Sequence, residues 1–100
     1  MSVGPLRAFV DTGADASVAP SRHIESLNVR VALEASLRSP WGEPRRVRVY
    51  RLDLGIGALR LPSVEVVADD LGDEIIIGRN VLNRLVLTLD GPRGMLEMRE

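Results

Sequence analysis

The chain has 100 residues, a formal net charge of −1 and 45% hydrophobic residues, which fits one globular domain over residues 1–100 and not a disordered segment. A charge so near neutrality gives no strong field directed at nucleic acid or an anionic membrane, so neither is expected as a partner. Cysteine is absent, which excludes disulfides, thiol catalysis and cysteine metal sites.

The elements follow in chain order. Leu6 to Val10 reads as a strand running into a turn at Asp11. Residues 17–28 mix small, polar and proline residues without periodicity, which predicts a loop with one helical turn. Val29 to Leu37 alternates apolar with polar or small residues, the pattern of a half-buried strand. Ser39 to Pro44 is a turn cluster, and Arg46 to Leu52 alternates again, so the three segments predict a hairpin. Gly55-Ile56-Gly57 reads as a second turn or bulge. Leu59 to Leu61 and Val64 to Val67 are predicted strands, separated by a bend or edge at Pro62. Asp69 to Asp73 is a loop and Ile75 to Ile77 a short buried strand. Arg79 to Leu85 suits one short helix, and Val86 to Leu89, a tight turn and Met95 to Met98 end the chain as a hairpin. With Phe9, Trp41 and Tyr50 as the only aromatics, the core must be built from Val, Leu and Ile. Short strands at close spacing with one late helix predict a mostly β, barrel-like domain.

Two segments carry chemistry. The first is Asp11-Thr12-Gly13-Ala14, preceded by Ala8-Phe9-Val10 and followed by Asp15. The second is Ile76-Ile77-Gly78-Arg79-Asn80-Val81-Leu82. Either alone is an ordinary sequence, a turn or a strand-to-helix junction. Together and in this order they resemble the two halves of a retroviral-type (retropepsin-like) aspartic protease subunit, over Leu6 to Met98.

The resemblance implies a closed β-barrel with one short C-terminal helix, and an aspartic endopeptidase. Hydrolysis of a peptide bond by water needs a base for the water and an acid for the carbonyl oxygen. Two close carboxylates sharing one proton do both, because like charges so near cannot both ionise; this is established for aspartic proteases generally and is not deduced from these residues. The chain supplies one Asp-Thr-Gly, so the resemblance implies a homodimer with Asp11 of each copy in the dyad. Thr12 and Gly13 then support the dyad, Thr12 by bonding across to its symmetry mate. Gly13 lets a substrate backbone approach closely, and Ala14 is small for the same reason. Gly13, Ala14 and Asp15 line the peptide cleft. Gly78, Arg79 and Asn80 support the loop from behind, with Arg79 paired to Asp15. The substrate is a polypeptide, and no metal or cofactor is implied.

The family also places a β-hairpin flap over the substrate. Ser39 to Pro44 is the candidate tip, and Trp41 with Gly42 the candidate substrate contacts, although Trp41 packing on its own hairpin is an equal alternative. Pro40 and Pro44 predict a stiff tip. Five residues precede Leu6, where family members carry a further strand that interleaves at the dimer interface. Either the dimer is held differently, or the chain is a piece of a longer one, or its start is misassigned. A non-catalytic peptide-binding or dimerisation module is therefore the alternative function, and a half that needs a different partner chain a third.

The remaining features read as structure. Arg45, Arg46, Arg48 and Arg51 form a basic cluster that suits a solvated strand face better than a preference for acidic peptides. His23 is a lone histidine expected at the surface. Asp69, Asp70, Asp73 and Glu74 lack the ligand rhythm of a calcium loop. No segment is long and apolar enough to cross a bilayer, and the first residues lack a signal-peptide apolar core, so a cytoplasmic location is expected unless the chain is a fragment.

Overall fold

The structure, a computed structural model, describes residues 2–37 and 42–100. It is mostly β, with strands β1 (Phe9–Val10), β2 (Ser17–Pro20), β3 (Leu33–Leu37), β4 (Arg45–Ile56), β5 (Leu59–Asp69), β6 (Ile76–Ile77), β7 (Val86–Asp90) and β8 (Met95–Arg99). Two short helices, α1 (Ser21–Glu25) and α2 (Arg79–Leu82), interrupt them. Six strands form one sheet in the order β1-β6-β2-β5-β4-β3, and β7 with β8 form a separate hairpin.

The register divides the sheet into two faces. Ser17 lies opposite Val66 and Ala19 opposite Ala68, while Val18 lies opposite Val67. Tyr50 pairs with Val66 and Val49 with Val67. Because side chains alternate along a strand, one face carries Ala19, Tyr50, Leu52, Val66 and Ala68, and the other Val18, Val47, Val49 and Val67. The first face takes the main core. Ile24 of α1, Val81 and Leu82 of α2, and Leu87 and Met98 of the hairpin all pack there. Burying side chains as completely as Ile24, Val64 and Val81 contributes roughly 1.5–3 kcal/mol each. The second face holds a smaller cluster of Val47, Val49 and Val67, flanked by Ala16, Val18 and Ala35. The buried residues of both helices belong to the first cluster.

Several expectations need correction. The sheet is not closed into a barrel: β1 and β3 are its two edges. There are two short helices rather than one, and α2 is shorter than expected because only single turn-type bonds continue it through Leu85. Within residues 17–28 the expected helical turn is present as α1, but Ser17–Pro20 forms a strand, β2, where a loop was expected; Ser-Val-Ala-Pro is too short to show an alternation. The strand expected from Val29 begins at Leu33, and the one expected from Leu6 begins at Phe9.

The two strands expected around Pro62 are one, β5, with a bulge. Leu52 pairs with Val64 and Leu54 with Leu61, so Pro62 and Ser63 together face Asp53. Pro62 has no N–H for the ladder. Ser63 adopts a left-handed φ of 53°, and its N–H donates to Asp53 Oδ1 at 3.1 Å. The side chain of Asp53 thus replaces the ladder bond that the bulge removes.

Candidate active site

The Asp11 loop hangs between two fixed points. Before it, β1 runs parallel to β6 with Phe9 opposite Ile76 and Val10 opposite Ile77. The Asp11 N–H extends that pairing by donating to the Ile77 carbonyl at 3.0 Å. After it, the Ala14 carbonyl accepts the Arg79 N–H at 2.8 Å. Between these points the loop is closed by Asp11 itself. Its carbonyl accepts from the Ala14 N–H at 3.2 Å, and its Oδ1 accepts from the Gly13 N–H at 2.9 Å. This is the local turn that an Asp followed by Thr-Gly favours. Asp11, Thr12 and Gly13 are exposed, so the carboxylate can be reached from solvent with one oxygen fixed in direction.

Gly78 is required by space, not by backbone angle. Its φ and ψ of −98° and −174° are extended, open to any residue. A Cβ there would stand 2.6 Å from the Ala16 carbonyl carbon and 2.9 Å from the Ala14 oxygen. The strand entering α2 and the loop leaving Asp11 touch at that point, and only a residue without a side chain permits it.

Behind the contact lies Ser17, which sequence reasoning did not single out. Ser17 is 2% exposed. Its Oγ accepts the Gly78 N–H at 2.9 Å and donates to Asn80 Oδ1 at 2.7 Å. Asn80 Nδ2 then donates to the Glu65 carbonyl at 2.9 Å. One hydroxyl therefore ties the start of α2 to β2, and Asn80 ties both to β5. The signal in the sequence was a small hydroxyl residue just past the motif, opening a strand whose next residues are apolar.

Arg79 and Asp15 form an ion pair. With 48% and 87% of these side chains exposed, the pair orients the loop more than it stabilises the fold. Gly42 is exposed and stands in open space; Trp41 lies outside the described residues.

Phe9, Val18 and Ile76 share a sheet face, the second face described above. Phe9 is 55% exposed, and Leu33 and Leu37 on β3 are 38% and 39% exposed. Apolar side chains are thus exposed at the two edges of this face, Phe9 beside the Asp11 loop and Leu33 with Leu37 on β3, while Val47, Val49 and Val67 between them are buried.

A family model described as "gag-polyprotein putative aspartyl protease" matches residues 2–84. The chain belongs to this family. Neither the curated proteins nor the solved structures gave a match. Membership in an aspartyl protease family indicates a hydrolase. The matched span takes in both the Asp11 loop and the Gly78 corner of this aspartyl protease family member.

Other candidate features resolve into structure. Arg45, Arg46 and Arg51 reach Asp69, Glu34 and Glu65 at 3.6, 2.8 and 3.8 Å, as strand-face ion pairs. In the acidic loop, Asp73 meets Arg22 at 2.6 Å and Asp70 accepts from the Ser21 hydroxyl. The carboxyl of Asp69 is held below its ordinary range, chiefly by the Leu71 N–H, with the Gly72 N–H and Arg45 adding to it against a smaller opposing cost of burial. Among the described residues no His, Asp or Glu cluster is arranged to hold a metal, and no helix is long and apolar enough to cross a membrane. His23, expected at the surface, is half-buried at the rim of a groove.

Proposed function

We propose that the chain is an aspartic endopeptidase acting as a homodimer, with Asp11 of each copy forming the dyad that activates water. The observation that supports this reading best is the double anchoring of the Asp11 loop, by Asp11 N–H on Ile77 and by Arg79 N–H on Ala14. That anchoring fixes an exposed carboxylate in direction, which is what a group meeting its symmetry mate needs. In the dimer, one carboxylate takes the proton of the attacking water and its protonated mate gives one to the scissile carbonyl oxygen. The pair titrates as a unit.

Thr12 braces the dyad and Gly13 leaves room for substrate backbone. The apolar row through Phe9, Val18 and Ile76 supports a cleft for an extended polypeptide beside the loop. Asp15, held by Arg79, stands at its edge, and Gly42 is a further contact for the polypeptide. Residues 1–100 act as one domain.

The test is cleavage of a diverse peptide mixture from acid to neutral pH, with Asp11→Asn alongside. Asn keeps the acceptor for Gly13 N–H and removes the charge. Cuts should vanish in the variant while the fold stays intact. A second reading, a peptide-binding module without turnover, is favoured by the single carboxylate that one chain presents; it predicts peptide binding and no cuts at any pH.

A further inference from the structure

Strand β3 is an edge of the sheet in the middle of the chain. Among the described residues it pairs with β4 alone. The Ala32 N–H continues that pairing by donating to the Val49 carbonyl at 2.9 Å. From Val29 to Leu37 apolar residues alternate with polar or small ones. Val29, Val31, Leu33 and Leu37 are all exposed. Leu33 and Ala35 lie opposite Val49 and Val47, so the stripe carries the second face outward from its buried cluster of Val47, Val49 and Val67.

An exposed apolar edge is a template for another strand, and natural edges commonly block this with charge. The charges of this edge do the opposite for one particular occupant. Arg30-Val31-Ala32-Leu33-Glu34 runs from cation to anion about Ala32, with an apolar residue on each side of the centre. A second copy laid antiparallel, with Ala32 opposite Ala32, puts Arg30 opposite the partner's Glu34 and Glu34 opposite the partner's Arg30. Val31 then lies opposite the partner's Leu33, and Val29 opposite the partner's Ala35. Opposite charges and apolar pairs across strands stabilise such a pairing, and like charges oppose it. A parallel copy in register would set like charges side by side. Arg30 has no ion-pair partner among the described residues. Glu34 meets Arg46 at 2.8 Å and remains exposed, with acceptor sites left for a second donor.

We infer that β3 is a self-association edge: two copies pair antiparallel about a two-fold axis at Ala32 and join their sheets into one. Strand β1, which leads into the Asp11 loop, stands at the opposite edge, five strands away, or about 24 Å along the sheet. The contact is therefore separate from any made through Asp11, and the inference does not rest on the reading of that residue. The paired segment is short, at the small end of specific interfaces, so the association is expected to be reversible and concentration-dependent.

The full chain contains no cysteine, so a single introduced thiol reports one position. Across the axis Ala32→Cys meets its own copy, within disulfide reach for residues directly opposite in antiparallel strands. Val29→Cys stands six residues from its own copy, about 20 Å away. Under mild oxidation Ala32→Cys should give a covalent dimer and Val29→Cys should not, while Val29→Cys mixed with Ala35→Cys should link the two variants. Sedimentation of thiol-free chains gives a second measurement. Arg30→Glu and Glu34→Arg are exposed changes, and losing the Arg46 contact costs the fold little. Each should weaken the concentration-dependent step at least about tenfold. An equal mixture of the two should restore it, because opposite charges then meet at both ends of the mixed pair. Equal cross-linking at Ala32 and Val29, no cross-linking at Ala32 from a folded chain, or sedimentation that ignores both charge changes would overturn the inference.

Discussion

The corner where Gly78 meets the Asp11 loop and the seam between β1 and β4 lie on the same sheet and differ in every physical respect. At the corner, backbone contacts are tight enough to exclude a Cβ, and the buried Ser17 hydroxyl is satisfied on both sides. At the seam, where among the described residues β1 pairs with β6 alone and β4 has no partner beyond Val49 on the side away from β5, two strand edges face an apolar groove. The corner is over-determined and, among the described residues, the seam is not. The comparison teaches where this small sheet concentrates its order: at the loop that carries the lone Asp-Thr-Gly.

Substitutions can break or sharpen that contrast. The largest effect is on activity: Asp11→Asn should lower peptide cleavage by about a thousandfold or more, read by product analysis, with an unchanged melting curve. Next is Gly78→Ala, which forces the Ala14 and Ala16 carbonyls apart and should cost roughly 3 kcal/mol in denaturant unfolding. Seam positions should not approach this: Gly57, where a Cβ meets nothing but φ is 57°, should cost only about 1 kcal/mol as Ala.

Ser17→Ala leaves the Gly78 N–H unpaired in a buried site and should cost about 1–3 kcal/mol. Ser17→Thr restores the hydroxyl and should recover part of that loss.

A smaller effect carries a pH signature. Because the carboxyl of Asp69 is held low in the folded chain, its contribution is complete above its unfolded pKa, about 4, and disappears as pH falls through the lower folded value. Asp69→Asn should therefore destabilise at neutral pH by about 1 kcal/mol or less, and the difference from the parent should vanish in acid.

The sequence made the corner legible and left the seam invisible, for a physical reason. Asp11-Thr12-Gly13 and Gly78-Arg79-Asn80 are local patterns whose residue types are dictated by one turn and one close approach. The Asp15–Arg79 pair came with the resemblance, not from spacing. Barrel closure depends on which distant strands meet, and alternation in Arg46 to Leu52 or Leu59 to Val67 says nothing about partners. The same limit hid the bulge at Pro62, where two apolar runs read as two strands and pair as one. Ser17 was missed because its importance lies in Gly78 and Asn80, more than sixty positions away.

The account rests most directly on two chains sharing one dyad, and a mixing measurement addresses that. Parent and Asp11→Asn chains would be combined in equal amounts, allowed to exchange, and assayed for cleavage per total chain at concentrations where dimers dominate. Random pairing leaves about one quarter of dimers with two carboxylates, so activity should fall to about one quarter of the parent value. A fall to only about one half would mean that each chain works alone, and the shared dyad would be wrong.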